Sequence, residues 1–184
     1  MKVFDRAGRV NTTKTLEMAF DRAYETGISR VVIASTYGDT ALKAVEMADS
    51  DKIELIVVTH NYGFKTLGQL EMSDETRKQL LQKNVKVHTG TMPFRNIGTA
   101  IRQTLGYSQQ DLIANTLRLM GQGLKVCVEI AMMAADAGLV GQEDIVTVAG
   151  TGRGADTAAI ILPASSNSLF EMKIREIIVK PRDW

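Results

Sequence analysis

The chain predicts an α/β fold: a three-layer α/β/α sandwich around a mostly parallel sheet, with an antiparallel strand near the C-terminus. Three observations predict it. Short, continuous, β-branched runs at residues 30–35, 53–58 and 145–149 read as strands buried on both faces. Segments with apolar residues at helical spacing alternate with these runs, as βαβ units require. The run at 158–162 follows its predecessor too closely for a helical crossover, so it returns antiparallel.

The elements follow in order. Asn11, Thr12 and Thr13 supply capping side chains for a helix over residues 14–26, where Leu16, Ala19, Phe20 and Ala23 recur at helical spacing and Gly27 ends the run. After the strand at 30–35, the turn Thr36-Tyr37-Gly38 leads into a helix at 39–48. The strand at 53–58 leads through a loop at 59–64 to a helix announced by Ser73-Asp74-Glu75. A shorter, more alternating strand covers 85–89, and a long loop with Gly90, Pro93 and Gly98 follows it. Helical sequence then runs from 109 to 137, with Gly121-Gln122-Gly123 marking a kink or a join. The strand at 145–149, the glycine loop, the strand at 158–162 and a last strand at 174–179 complete one domain over 1–184.

Composition narrows the classes of function. Lysine plus arginine number 22 against 21 aspartate plus glutamate, and no basic stripe or charged block interrupts the chain. That balance argues against nucleic acid or a membrane surface as the main partner. The N-terminus has no apolar signal core and no run approaches a membrane span, so the expectation is a cytoplasmic protein. One cysteine excludes an intrachain disulfide framework, and with two histidines no metal-ligand cluster is visible. No P-loop and no G-x-S-x-G elbow is present.

In open α/β sheets, ligands bind beyond the carboxyl ends of the strands where the strand order reverses. That rule selects the loops at 35–40, 59–64, 89–97 and 150–157. Tyr37, Tyr62, Phe64 and Phe94 lie in the first three, beside hydroxyls at Ser35, Thr36, Thr40, Thr59, Thr89 and Thr91. Aromatic faces beside hydroxyls and glycines suit a flat ring carrying a phosphate. The first loop joins strand to helix, so free N–H groups and the positive helix end converge at Ser35-Thr36-Tyr37-Gly38-Asp39-Thr40. Asp39 is either an ordinary helix cap or a carboxylate that must turn away from the phosphate.

Gly150-Thr151-Gly152-Arg153-Gly154-Ala155 matches G-x-G-x-x-A, yet a strand follows where a dinucleotide fingerprint needs a helix. Two readings remain: a backbone nest with Arg153 as anion clamp, or a glycine-rich turn with Arg153 in solvent. Lys125 and Glu129 read as a surface i,i+4 ion pair. Met132 and Met133 read as core filler, and Cys127 as an inert packed thiol. His60 opens a site loop, and His88 alternates with Val85 and Val87 on a sheet face.

These loops carry a family resemblance. The segment Ser35-Thr36-Tyr37-Gly38-Asp39-Thr40-Ala41 resembles the effector-phosphate loop of the C-terminal domain of pyruvate kinase, and residues 137–150 resemble its last helix, strand and glycine loop. Gly121-Gln122-Gly123-Leu124-Lys125-Val126, Glu129-Ile130, Met133-Ala134 and Asp136-Ala137-Gly138 more closely resemble the stand-alone archaeal pyruvate kinase α/β domain proteins, as do Gly150-Thr151, residues 154–158 and Lys180-Pro181-Arg182.

The resemblance covers nearly the whole chain and implies a fold like the pyruvate kinase C-terminal domain, with association with flavin mononucleotide (FMN). By the motif, Ser35, Thr36, Gly38 and Thr40 hold the phosphate, and Gly150, Thr151, Gly152, Arg153, Gly154 and Asp156 form the opposing wall. Tyr37, Thr59, His60, Gly63, Phe64 and Thr91 complete the expected contacts, although Thr91-Met92-Pro93 departs from the histidine-containing loop of relatives. The barrel that transfers phosphoryl groups in pyruvate kinase is absent, so pyruvate kinase activity is not expected. The expectation is a small-ligand-binding protein that holds a phosphorylated aromatic cofactor, FMN, in the cleft at the carboxyl ends of the strands; the alternatives are a flavin-dependent oxidoreductase and an allosteric sugar-phosphate sensor. Related domains often self-associate, which by analogy suggests a homo-oligomer.

Overall fold

Alternate residues of each central strand enter two separate cores. A computed structural model describes residues 1–184. The strands β2 (Arg30–Ala34), β3 (Glu54–Val58) and β5 (Ile145–Ala149) send Val31, Ile33, Leu55, Val57, Val146 and Val148 to one face. Val32, Ile56, Val58, Ile145 and Ala149 face the other way. The helices α1 (Thr12–Thr26), α2 (Asp39–Met47) and α3 (Asp74–Gln82) cover the first face through Leu16, Phe20, Ala41, Ala44 and Leu80. The helices α5 (Gln109–Arg118) and α6 (Gln122–Asp136) cover the second, where Leu124, Met132 and Met133 are core residues. Burial on both faces is why these strands read as unbroken apolar runs.

With β1 (Lys2–Arg6), β4 (Lys86–His88), β6 (Thr157–Leu162) and β7 (Lys173–Asp183), the sheet has seven strands in the order β1-β7-β6-β5-β2-β3-β4. Only β6 runs against its neighbours, antiparallel to β5 and β7, while every other pair is parallel. The chain moves outward from β2 through β3 to β4, then crosses back so that β5 lies on the other side of β2. Strand order therefore reverses between β2 and β5, and the loops leaving those strands flank a crevice. No helix is long and apolar enough to cross a membrane.

Several elements differ from the sequence reading. β1 is an additional edge strand, paired only with β7 and exposed along most of its length, so it carries no apolar run to mark it. The expected long loop contains a helix, α4 (Asn96–Leu105), whose only buried residue is Gly98 and which has no side-chain cap. Its apolar residues Ile97, Ala100, Ile101 and Leu105 do fall at helical spacing, but Ile97 and Leu105 stay exposed, and Pro93 before the helix and Gly98 within it read as loop. α1 starts at Thr12, and Asn11 does not cap it; its Nδ2 donates to the Arg6 carbonyl at 2.8 Å. Ser73 does cap α3, its Oγ accepting from the Thr76 N–H at 3.1 Å. The expected join falls at Gly121, between α5 and α6.

Candidate functional site

A free helix start forms the centre of the crevice. Gly38 precedes α2 with φ 93°, a left-handed conformation that glycine adopts without strain. A Cβ there would stand 2.2 Å from Thr76 Cγ2, so α2 and α3 pack on the bare backbone. Ser35 Oγ accepts the Ala41 N–H at 3.2 Å, and the Leu42 N–H already bonds the Gly38 carbonyl. The N–H groups of residues 36–40 make no hydrogen bond to another part of the protein. Uncommitted donors in a tight turn at a helix start attract an anion.

The turn opens onto a cavity of about 310 Å³, at the small end of the range for ligand sites. Of the expected contacts, Ser35, Thr36, Tyr37, Thr40, Thr59, His60, Phe64, Gly150, Gly152, Arg153 and Gly154 line it. Gly38, Gly63, Thr91, Thr151 and Asp156 stand outside that lining. Gly38 serves the site through the turn it permits.

Asp156 is fully buried, and its Oδ2 accepts the N–H groups of Gly8 and Thr151, each at 3.0 Å. Its Oδ1 accepts the Thr157 hydroxyl at 2.8 Å. The chain's own carboxylate thus takes the Thr151 N–H of the glycine loop. Arg153 is likewise committed: its Nε donates to Asp39 at 3.0 Å, and its guanidinium lies over the Tyr37 ring, 5.1 Å from the centroid. This pair turns Asp39 toward Arg153 and tethers the two loops across the crevice.

The cavity walls are cationic. Lys65, Arg95, Arg118, Lys125 and Arg153 line them, against the carboxylates of Asp39 and Glu129. Arg95 lies over Phe64, 4.5 Å from the ring centroid, and Arg118 donates to Gln122 at 2.6 Å and Asn115 at 2.7 Å. Lys65 donates to the Tyr37 hydroxyl at 2.6 Å. None of these three carries a carboxylate partner. The faces of Tyr37 and Phe64 are therefore taken by cations, while Val58, Met92, Val126, Ile130 and Met133 give the cavity its apolar surface.

Lys125 and Glu129 correct the sequence reading most clearly. The pair exists, but at 5% and 2% side-chain exposure it is buried in the cavity wall. Glu129 also accepts the Phe94 N–H at 2.9 Å, and the Lys125 ammonium lies over the Phe94 ring. Burial holds the Lys125 ammonium below its ordinary range, opposed by Glu129 beside it. Spacing gives an i,i+4 pair and says nothing about which way the helix faces; the glycine-flanked start of α6 is the feature that marked this segment.

Glu71, which sequence reading missed, is a further buried carboxylate beside His60. Its side chain is 7% exposed, it lies 3.8 Å from His60 Nδ1, and neither oxygen has a hydrogen-bond partner. His60 Nε2 lies 3.4 Å from the Thr36 hydroxyl, and its ring packs on Phe64. Burial lowers the His60 pKa from its ordinary 6.5, against the raising effect of Glu71. Cys127 is fully buried, and burial pushes its thiol up to about 12, as an inert core residue requires. No known protein-family model matches the chain.

Proposed function

We propose that the cavity binds a phosphorylated aromatic cofactor, FMN, with the phosphate held by the backbone N–H groups of residues 36–40. The uncommitted donors at the start of α2 are the observation that carries this reading. The residues fit the group. Thr40 is 3% exposed, lines the cavity and adds a hydroxyl beside the free N–H groups. The apolar side chains of α6 and Met92 offer a surface for a flat ring, and Arg95, Arg118 and Lys125 offer donors to its polar edge. The likeness of these motifs to the pyruvate kinase α/β proteins supports the same ligand and a fold relationship to that domain.

A bound flavin supplies hydride and electron transfer, and the protein supplies orientation and electrostatics. Cations around the cavity favour negative charge on whatever it holds, which suits a flavin-dependent oxidoreductase as well as a binding protein. The surplus of cations over carboxylates favours one further ligand class, a sugar carrying two phosphates, for an allosteric sensor.

Fluorescence titration with FMN and with riboflavin tests the reading. FMN binds and its emission changes, while riboflavin, lacking the phosphate, binds at least tenfold more weakly, the ~1.4 kcal/mol of a modest charge-assisted contact. Equal affinities remove the phosphate from the turn. Thermal stabilisation by a sugar bisphosphate and none by FMN replaces the flavin reading with the sensor.

A further inference from the structure

The chain Glu71–His60–Thr36 is unexplained by phosphate binding alone. Glu71 is a carboxylate with two buried, unpartnered oxygens, an arrangement that costs stability unless another group makes use of it. The His60 ring is such a group: its Nδ1 lies 3.8 Å from Glu71 and also lacks a hydrogen-bond partner. The other ring nitrogen faces Thr36 at 3.4 Å, and Thr36 is the first residue of the free N–H turn. His60 and Thr36 line the cavity. A carboxylate behind an imidazole, with a hydroxyl in front, is how a ring is held in one tautomer for proton transfer. Such contacts are often long before a ligand is bound.

We propose that His60 is the proton-exchanging group of the cavity, positioned by Glu71 and linked through the Thr36 hydroxyl to the anion held at residues 36–40. The proposal rests on the anion site described above. With the ring neutral, Nδ1 carries the proton facing Glu71 and Nε2 carries the lone pair facing Thr36 and the ligand. A ligand O–H or N–H gives its proton to Nε2; the ligand becomes one unit more negative and the ring one unit more positive. Glu71 stabilises the imidazolium from behind, and the cationic walls stabilise the ligand's charge. The reverse transfer returns the proton. The ligand class implied carries an ionisable proton as well as its phosphate. The other charged groups acting on the ring are Arg95, ahead of α4, which opposes its protonation, and Glu129 on α6, which favours it.

Sulfate tests this chain because it stays a dianion across the pH range in which histidine titrates. Amide and histidine Cε1–H NMR signals are followed in the whole protein from pH 5 to 8, with and without sulfate. His88, at the end of β4, is the internal reference. Sulfate shifts the amides of residues 36–40, binds about tenfold more tightly at pH 5 than at pH 8, and raises the His60 midpoint without moving that of His88. His60→Gln retains sulfate binding and loses most of the pH dependence. Glu71→Gln lowers the His60 midpoint in the free protein, since the carboxylate raises it. Thr36→Val weakens the coupling between sulfate and His60 while the remaining amide signals confirm the fold.

Sulfate binding at residues 36–40 with a flat pH profile, or an unchanged His60 midpoint in Glu71→Gln, overturns the proton chain and leaves the anion site standing. Absence of any shift at residues 36–40 overturns both.

Discussion

Lys125 and Glu129 are neighbours on α6, and tertiary packing places them inside the cavity wall. Removing one member of a buried pair leaves the other charge unpaired. Lys125→Met is therefore expected to destabilise the protein by about 3–5 kcal/mol in urea unfolding, with much of the loss recovered in Lys125→Met/Glu129→Gln. A loss below about 1 kcal/mol would match the exposed pair read from the sequence instead. Asp156, expected in the wall opposite the phosphate, is the acceptor that closes the glycine loop onto the N-terminal segment. Asp156→Asn is expected to cost about 1.5–3 kcal/mol, the loss of a buried charge-assisted hydrogen bond. Glu71 had no local signature at all, because its partner His60 is brought to it by the path of a loop.

The histidines also set a pH dependence. Burial holds both His60 and His88 below their ordinary 6.5, so below that pH the unfolded chain binds protons that the folded one refuses. Their contribution to stability is complete above 6.5 and is lost as pH falls through the folded values. Glu54, held low by Lys86 and Arg30, acts in a lower window, losing its contribution only below 4.5. Urea midpoints are expected to fall between pH 7 and pH 5, and His60→Gln is expected to flatten part of that slope. A rise in stability on acidification contradicts the burial of these rings.

At the level of elements, the central strands and the antiparallel return of β6 were legible because burial on both faces leaves an unbroken apolar run. β1 and α4 were not: β1 is an exposed edge strand, and the helical spacing of Ile97, Ala100, Ile101 and Leu105 in α4 was masked by the loop signals of Pro93 and Gly98. The glycine at the start of α6 shows where packing overrides propensity. A Cβ at Gly123 would stand 2.1 Å from Thr157 Oγ1 and 2.5 Å from its Cβ, so α6 reaches β6 only without a side chain there. Gly→Ala inside a helix ordinarily stabilises by about 1 kcal/mol. Here Gly123→Ala is expected to destabilise by about 1–3 kcal/mol, as overpacking does. A more stable variant refutes the close approach of α6 to β6. Gly38, by contrast, makes a poor test of ligand binding, because any side chain there meets Thr76 and disturbs the fold as well.

Across the whole molecule, topology does what no motif does. The reversal of strand order between β2 and β5 brings the start of α2 and the glycine loop to one crevice, and α6 closes its side. Strand ends alone were enough to select the loop at 35–40 and the glycine loop, both of which line this crevice. The cationic lining from Arg95, Arg118 and Lys125 came from elements whose orientation only the assembled sheet determines. Cys127 lies on the buried face of α6, so an alkylating reagent is expected to label it only on global unfolding; rapid labelling of the native protein contradicts that packing.

The proposed phosphate contact is with the free backbone donors of the first strand-to-helix turn. The most direct measurement is a backbone amide map of the protein saturated with FMN. The largest downfield shifts are expected at residues 36–40, with Thr40→Val weakening FMN about tenfold and preserving the fold. Binding that leaves those amides unmoved, or that moves only the amides of residues 150–154, contradicts it.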